Sequence, residues 1–123
     1  MSSIMPSADS MQKLAAAPDT GKVVMLNLLK FKPGNGAASY AEYGRQVAKI
    51  LARIGARILF SGSVAQSMIG HDGDWDAIAI VEYPSRKAFL EMGMSAEYQA
   101  IHHFRDEGLE RTELYAINPM PNL

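Results

Sequence analysis

One stretch constrains this chain more than any other. From Lys22 to Lys32, after Gly21, the spacing predicts a β-strand that is apolar on both of its alternating sides. Met25, Leu29 and Phe31 fall on one side, and Val24, Leu26 and Leu28 on the other. An antiparallel strand with one wet face would alternate apolar and polar residues, so both sides of this one need cover. Asn27 is the polar residue in the middle of the run.

The rest of the chain reads as elements alternating around that strand. Residues 1–20 form an arm in which Ser7, Asp9 or Ser10 can cap a short helix through Met11 and Leu14, ended by Pro18. A helix this short must dock on the body or fray. Pro33-Gly34-Asn35-Gly36 is a loop, and Ser39 with Glu42 fits a capping box. Tyr40, Tyr43, Val47, Ile50, Leu51 and Ile54 then recur at helical spacing up to a Gly55 cap. Ala56 to Ile69, broken by Gly62, predicts a second strand. The Asp-Gly turn in His71-Asp72-Gly73-Asp74 leads into a third, Asp76 to Tyr83. Ser85 caps a helix interrupted near Gly93, Ser95 restarts it, and Gly108 ends it. Leu109 to Ile117 is the last strand, before a tail, residues 119–123, punctuated by Pro119 and Pro121.

The order β-α-β-β-α-β is the ferredoxin-like split unit, an α+β fold with a four-stranded antiparallel sheet. Both helices cover one sheet face and leave the other bare. That bare face calls for a second surface, and twofold self-association supplies one, so a homodimer through the sheet face is expected. The 123 residues suit one domain, here residues 21–118.

Composition removes several classes. Twelve basic and thirteen acidic residues give a net charge of −1, without the basic excess that marks a nucleic-acid partner. The absence of cysteine removes disulfides, thiolate metal sites and a Cys nucleophile. No apolar run approaches the ~20 residues of a membrane helix. Met1 to Ala17 lacks the basic start and apolar core of a signal peptide, so a cytoplasmic location is the default expectation.

Val24-Met25-Leu26-Asn27-Leu28-Leu29-Lys30-Phe31, Tyr40-Ala41-Glu42-Tyr43 and Gly55-Ala56-Arg57 resemble the dimeric α+β barrel superfamily. Tyr83-Pro84-Ser85-Arg86, Ser95-Ala96-Glu97-Tyr98-Gln99-Ala100 and Arg105 shortly before Gly108-Leu109-Glu110 extend the likeness to the branch known as domain of unknown function 1330 (DUF1330). The resemblance spans residues 22–117. It implies two ferredoxin-like sheets packed face to face in a dimer. It also implies kinship with cofactor-independent monooxygenases, haem-degrading enzymes, dehalogenating decarboxylases and muconolactone-type isomerases. The nearest family has no settled activity, so its fold transfers better than its function. Where many members carry an arginine late in the second strand this chain has Ser61, which weakens any anion-binding role there.

Five residues are candidates for ligand binding: Asn27, Trp75, Glu82, His102 and Arg105. Asn27 can donate to and accept from a ligand, or pair with backbone or water. Glu82, in phase with Ile78 and Ile80, would have a raised pKa in an apolar cleft and serve as general acid or base. Alternatively it pairs with Arg57 or Arg111. His102, on a stripe with Tyr98 and Arg105, is the other catalytic candidate, for proton transfer, or else a partly buried helix residue. Arg105 fits a ligand carboxylate, or pairs with Glu97, Asp106, Glu110 or a dimer partner. Trp75, at the start of the third strand, walls a cleft or closes one end of the core. Tyr98, Phe104 and Phe89 read as core.

No metal site is expected, because His102 and His103 are adjacent on a helix and His71 lies far off. Gly34-Asn35-Gly36 lacks the third glycine of a dinucleotide loop. The acidic run from His71 has Ala77 and Tyr83 where a calcium loop needs Gly and Glu. Ser61-Gly62-Ser63 is no nucleophile elbow. The chain is therefore expected to need no cofactor and to bind a small, partly apolar organic molecule between sheet and helices, held by Asn27, Glu82 and His102. Isomerisation, decarboxylation or cofactor-free oxygenation suits those groups. The alternative is a non-catalytic binding or structural homodimer.

Overall fold

Local capping chemistry sets most of the helices. In the computed structural model, which describes residues 4–19 and 21–120, Ser7 accepts from Ser10 N at the start of α1 (Ala8–Ala16). Ser85 does the same for α3 (Arg86–Met94) through Ala88 N. Ser95 is extended, at φ −71° and ψ 148°, and caps α4 (Ala96–Gly108) through Tyr98 N. The break expected near Gly93 therefore falls at Ser95. Gly55, at φ +80°, closes α2 (Gly36–Ile54) in the left-handed conformation. Residues 1–3 and Thr20 of the expected arm and residues 121–123 of the expected tail lie outside the described residues.

Two expectations fail for tertiary reasons. The capping box at Ser39 and Glu42 does not form, because α2 already begins at Gly36. Ser39 N bonds Asn35 O inside the helix, and Glu42 pairs with Arg45 and Gln46. Gly36 and Gly108 lie back to back, and a Cβ on either would stand 2.8 Å from the other's carbonyl oxygen. That approach lets the start of α2 cross the end of α4.

The second strand is also shorter than predicted. β2 is Arg57–Ser63, because β3 (Ala77–Tyr83) pairs with it only as far as Ser63 opposite Ala77. Val64 to Asp76 is thus a loop, with Gly73 at φ +85°, in place of a tight hairpin.

With β1 (Val23–Phe31) and β4 (Leu109–Ile117), the strands form one antiparallel sheet in the order β2-β3-β1-β4. This is the ferredoxin-like arrangement. Alternation along β1 turns Val23, Met25, Asn27 and Leu29 toward the helices; the three apolar ones are almost fully buried, Val23 and Met25 in one cluster with Tyr43, Val47, Ile50 and Leu51. Pairing lines up Phe60, Ile80, Leu26 and Tyr115 as a row on the opposite face. Arg57, Glu82, Val24 and Ile117 form a second row there. No helix among the described residues covers that face, and Phe60 is 57% and Tyr115 49% exposed. Among the described residues no helix is long and apolar enough to cross a membrane.

Candidate functional site

Asn27 points into the helix-covered side of the sheet. Its Nδ2 donates to Ala79 O at 3.2 Å and to Met25 O at 3.5 Å. Both acceptors are carbonyls, which fixes the NH2 on that side. Oδ1 is left with no donor among the described residues. Two cavities meet at this residue. One, of about 210 Å³, lies between α2 and the sheet and is lined by Asn27, Tyr40, Tyr43, Ser61, Val81 and Tyr83. The other, of about 90 Å³, shares Asn27, Tyr43 and Tyr83 and adds Met92, Tyr98 and Arg105.

Phenols dominate the polar lining. Tyr43 and Tyr98 share a hydrogen bond of 3.0 Å between their hydroxyls, with rings edge to face. Burial is the main cause that lifts the Tyr40 phenol to about 12, and it also raises Tyr43 and Tyr83 well above the ordinary phenol value. The Arg105 guanidinium acts on all three in the opposite direction. Its positive charge is therefore felt throughout the chamber.

Arg105 is 5% exposed, the buried charged residue of the described chain. None of the carboxylates expected from the sequence pairs with it: Asp106 pairs with His102, Glu97 with Arg53, and Glu110 is exposed. Its Nη1 donates instead to the backbone carbonyl of Ile4. The arm that carries Ile4 also brings Met5, Pro6 and Met11 to the cavity wall. His102 stands just outside. Its Nδ1 is 3.3 Å from Asp106 Oδ2 and its Nε2 is 2.8 Å from Met5 Sδ. The other Asp106 oxygen is buried without a hydrogen-bond partner.

The other two candidates lie elsewhere. Glu82 is on the open face, so Asn27 and Glu82 do not share a cleft; the one-residue phase that put Glu82 with Ile78 and Ile80 is the phase of the bare side. It pairs with Arg57 at 3.1 Å and Lys22 at 3.5 Å. Burial works to raise its carboxyl, but the hydrogen bond and charge of Arg57, joined by Lys22, outweigh it and hold the group below the usual range. The raised pKa expected for a general acid does not occur. Trp75 sits in the loop before β3, under the Arg111 guanidinium at 4.4 Å, and lines a separate pocket with Leu28 and Ile78.

Sequence reading missed Tyr40, Tyr43 and Tyr83 as cavity groups, and placed Tyr98 in the core alone. Their helical and strand periodicity signals burial, and nothing local says that their hydroxyls converge. Asp106 carried a usable signal, its spacing of four residues from His102. Among the described residues no cluster of three or more metal-ligating side chains exists.

Residues 34–119 match the model of the family described as domain of unknown function (DUF1330). A protein of unknown function from Rhodopseudomonas palustris is 30% identical, with a TM-score of 0.89 over 95% of this chain and 96% of its own. A dimeric ferredoxin-like protein of unknown function from a Jannaschia species shares 7% identity and a TM-score of 0.67, over 80% of this chain and all (100%) of its own. A candidate antibiotic biosynthesis monooxygenase from Caulobacter crescentus shares 16% and 0.59, over 81% and 91%. The last two show the fold alone. No curated protein matches the chain.

Proposed function

This chain belongs to the DUF1330 family, and on that premise we propose that it is a small-molecule-binding homodimer. Each subunit takes a small, partly apolar organic compound into the paired cavities at Asn27. The observation that carries this reading is Asn27 itself, an amide with a free acceptor set where two cavities meet under the helices. A purely structural amide would have both ends satisfied. Supporting the dimer are the apolar row of Phe60, Ile80, Leu26 and Tyr115 left bare on the open face and the Jannaschia neighbour, itself described as dimeric.

As an enzyme it works with what the chain supplies. Asn27 and the phenols offer hydrogen bonds to a polarised oxygen, and the His102–Asp106 pair offers a base beside the arm. Isomerisation, decarboxylation or cofactor-independent oxygenation of a small organic substrate fits these groups, with Glu82 serving the open face and taking no part.

The test is mass spectrometry of the solvent extract of freshly purified protein, compared with Asn27→Leu. A small organic molecule retained by the wild type and depleted in the variant is expected. Extracts that are empty or identical would favour the non-catalytic structural dimer.

A further inference from the structure

The buried charge of Arg105 has no partner in the binding proposed at Asn27. The guanidinium has five N–H donors in a planar fork, and one backbone carbonyl accepts from it among the described residues. A buried cation without a carboxylate is costly, and a bidentate carboxylate is its natural partner. The wall around it is made of thioethers and rings, Met25, Met92, Tyr83, Phe89 and Tyr98 among them, a lining that suits a flat aromatic body. A further cavity of about 290 Å³ beneath α1 shares Met11, Met25 and Phe89 with this chamber, so space for that body continues under the arm. No residue of α1 is fully buried, and Leu14 is its one residue packed against the core cluster, so few contacts hold the arm.

Resting on the small-molecule reading, we propose that Arg105 is the seat of an aromatic carboxylate, and that the Ile4 carbonyl occupies this seat until the carboxylate displaces it. The residue 4–17 arm is then the lid of the site. Its departure frees both the guanidinium fork and the Nε2 of His102, which now faces Met5 Sδ. The Arg105 chamber has this one cation among thioethers and rings, which favours a monoanion with an apolar body over inorganic phosphate, whose second charge and further oxygens would be desolvated against apolar walls.

The experiment uses the full-length protein with ¹³C-methyl methionine, titrated with benzoate, with its neutral isostere benzamide and with inorganic phosphate, while calorimetry gives the affinities. Benzoate is expected to bind at least about tenfold tighter than benzamide, the worth of a charge-assisted hydrogen bond, and to move the Met5 methyl resonance. Phosphate is expected to leave that resonance in place. Arg105→Met should bind the two aromatic probes alike; if that variant does not fold, the benzoate–benzamide pair in the wild type decides. Equal affinities in the wild type would overturn the anion seat and leave the cavity reading standing. Binding of neither aromatic probe would overturn both. Benzoate binding with Met5 unmoved would overturn the lid, and phosphate displacing the arm would overturn the ligand class.

Discussion

The two faces of this sheet are built from the same strands and end in opposite conditions. On the helix side Val23, Met25 and Leu29 are 1–3% exposed, and the polar groups there are drawn into one chamber. On the other side Phe60, Tyr115 and Ile117 remain 40–57% exposed around Leu26 and Ile80, and the charged groups Arg57, Lys22 and Glu82 pair at the edge. An apolar strand face demands cover, and a single chain of this size answers only one of two such demands. The covered face is finished within the protomer and holds the cavities of the proposed site. The open face is left bare, and it is the surface proposed to join two copies.

The sharpest way to break that contrast is to damage each face in turn. Phe60→Asp should leave the protomer folded while weakening the proposed dimer by at least about 3 kcal/mol, since a carboxylate would be buried unpaired in an apolar interface. Size-exclusion chromatography with light scattering would show monomers with an unchanged circular dichroism spectrum. Leu29→Ala should do the reverse: a loss of about 3 kcal/mol in denaturant unfolding, from a residue 2% exposed, with association intact where the protein is folded. If both variants did the same thing, the faces would not be separate devices.

Alkali sharpens the comparison on the covered side. The phenols of Tyr40, Tyr43 and Tyr83 are raised, Tyr40 to about 12. Groups whose folded pKa lies above the unfolded value of about 10 contribute stability that is complete below pH ~10 and is lost as pH rises through the folded values. Phenolate absorbance should therefore lag in the folded protein and rise together with unfolding. A smooth titration near the ordinary value, with the fold intact, would mean that the chamber is wet.

The smallest effect belongs to the open side. Glu82 is held below the usual carboxylate range, so its contribution is present above the unfolded value and fades as pH falls through the folded one. Glu82→Gln should be slightly less stable than the wild type at neutral pH, and the two urea curves should converge in acid. A larger penalty, or a loss of bound ligand, would bring Glu82 back into the site.

Local chemistry was legible and long-range contact was not. Ser85, Ser95 and Gly55 cap helices through neighbours three or four residues away, so their roles could be read directly. Asn27 stood out because an amide inside an apolar run needs partners. Glu82 does share its phase with Ile78 and Ile80, but periodicity says which residues share a face and not which face the helices take. Ser39 and Glu42 misled for a related reason: the Gly36–Gly108 approach that starts α2 early joins positions far apart in the chain. Val64 to Ile69 has strand composition but no strand opposite. The Arg105–Ile4 contact spans 101 residues, and nothing near either residue announces it.

The claim that the open face joins two copies is tested most directly by native mass spectrometry of the full-length protein at micromolar concentration. A species of twice the 13.4 kDa chain mass is expected, and it becomes single-chain in Phe60→Asp. A wild-type protein that stays monomeric at that concentration, with Phe60 and Tyr115 left in water, would contradict it.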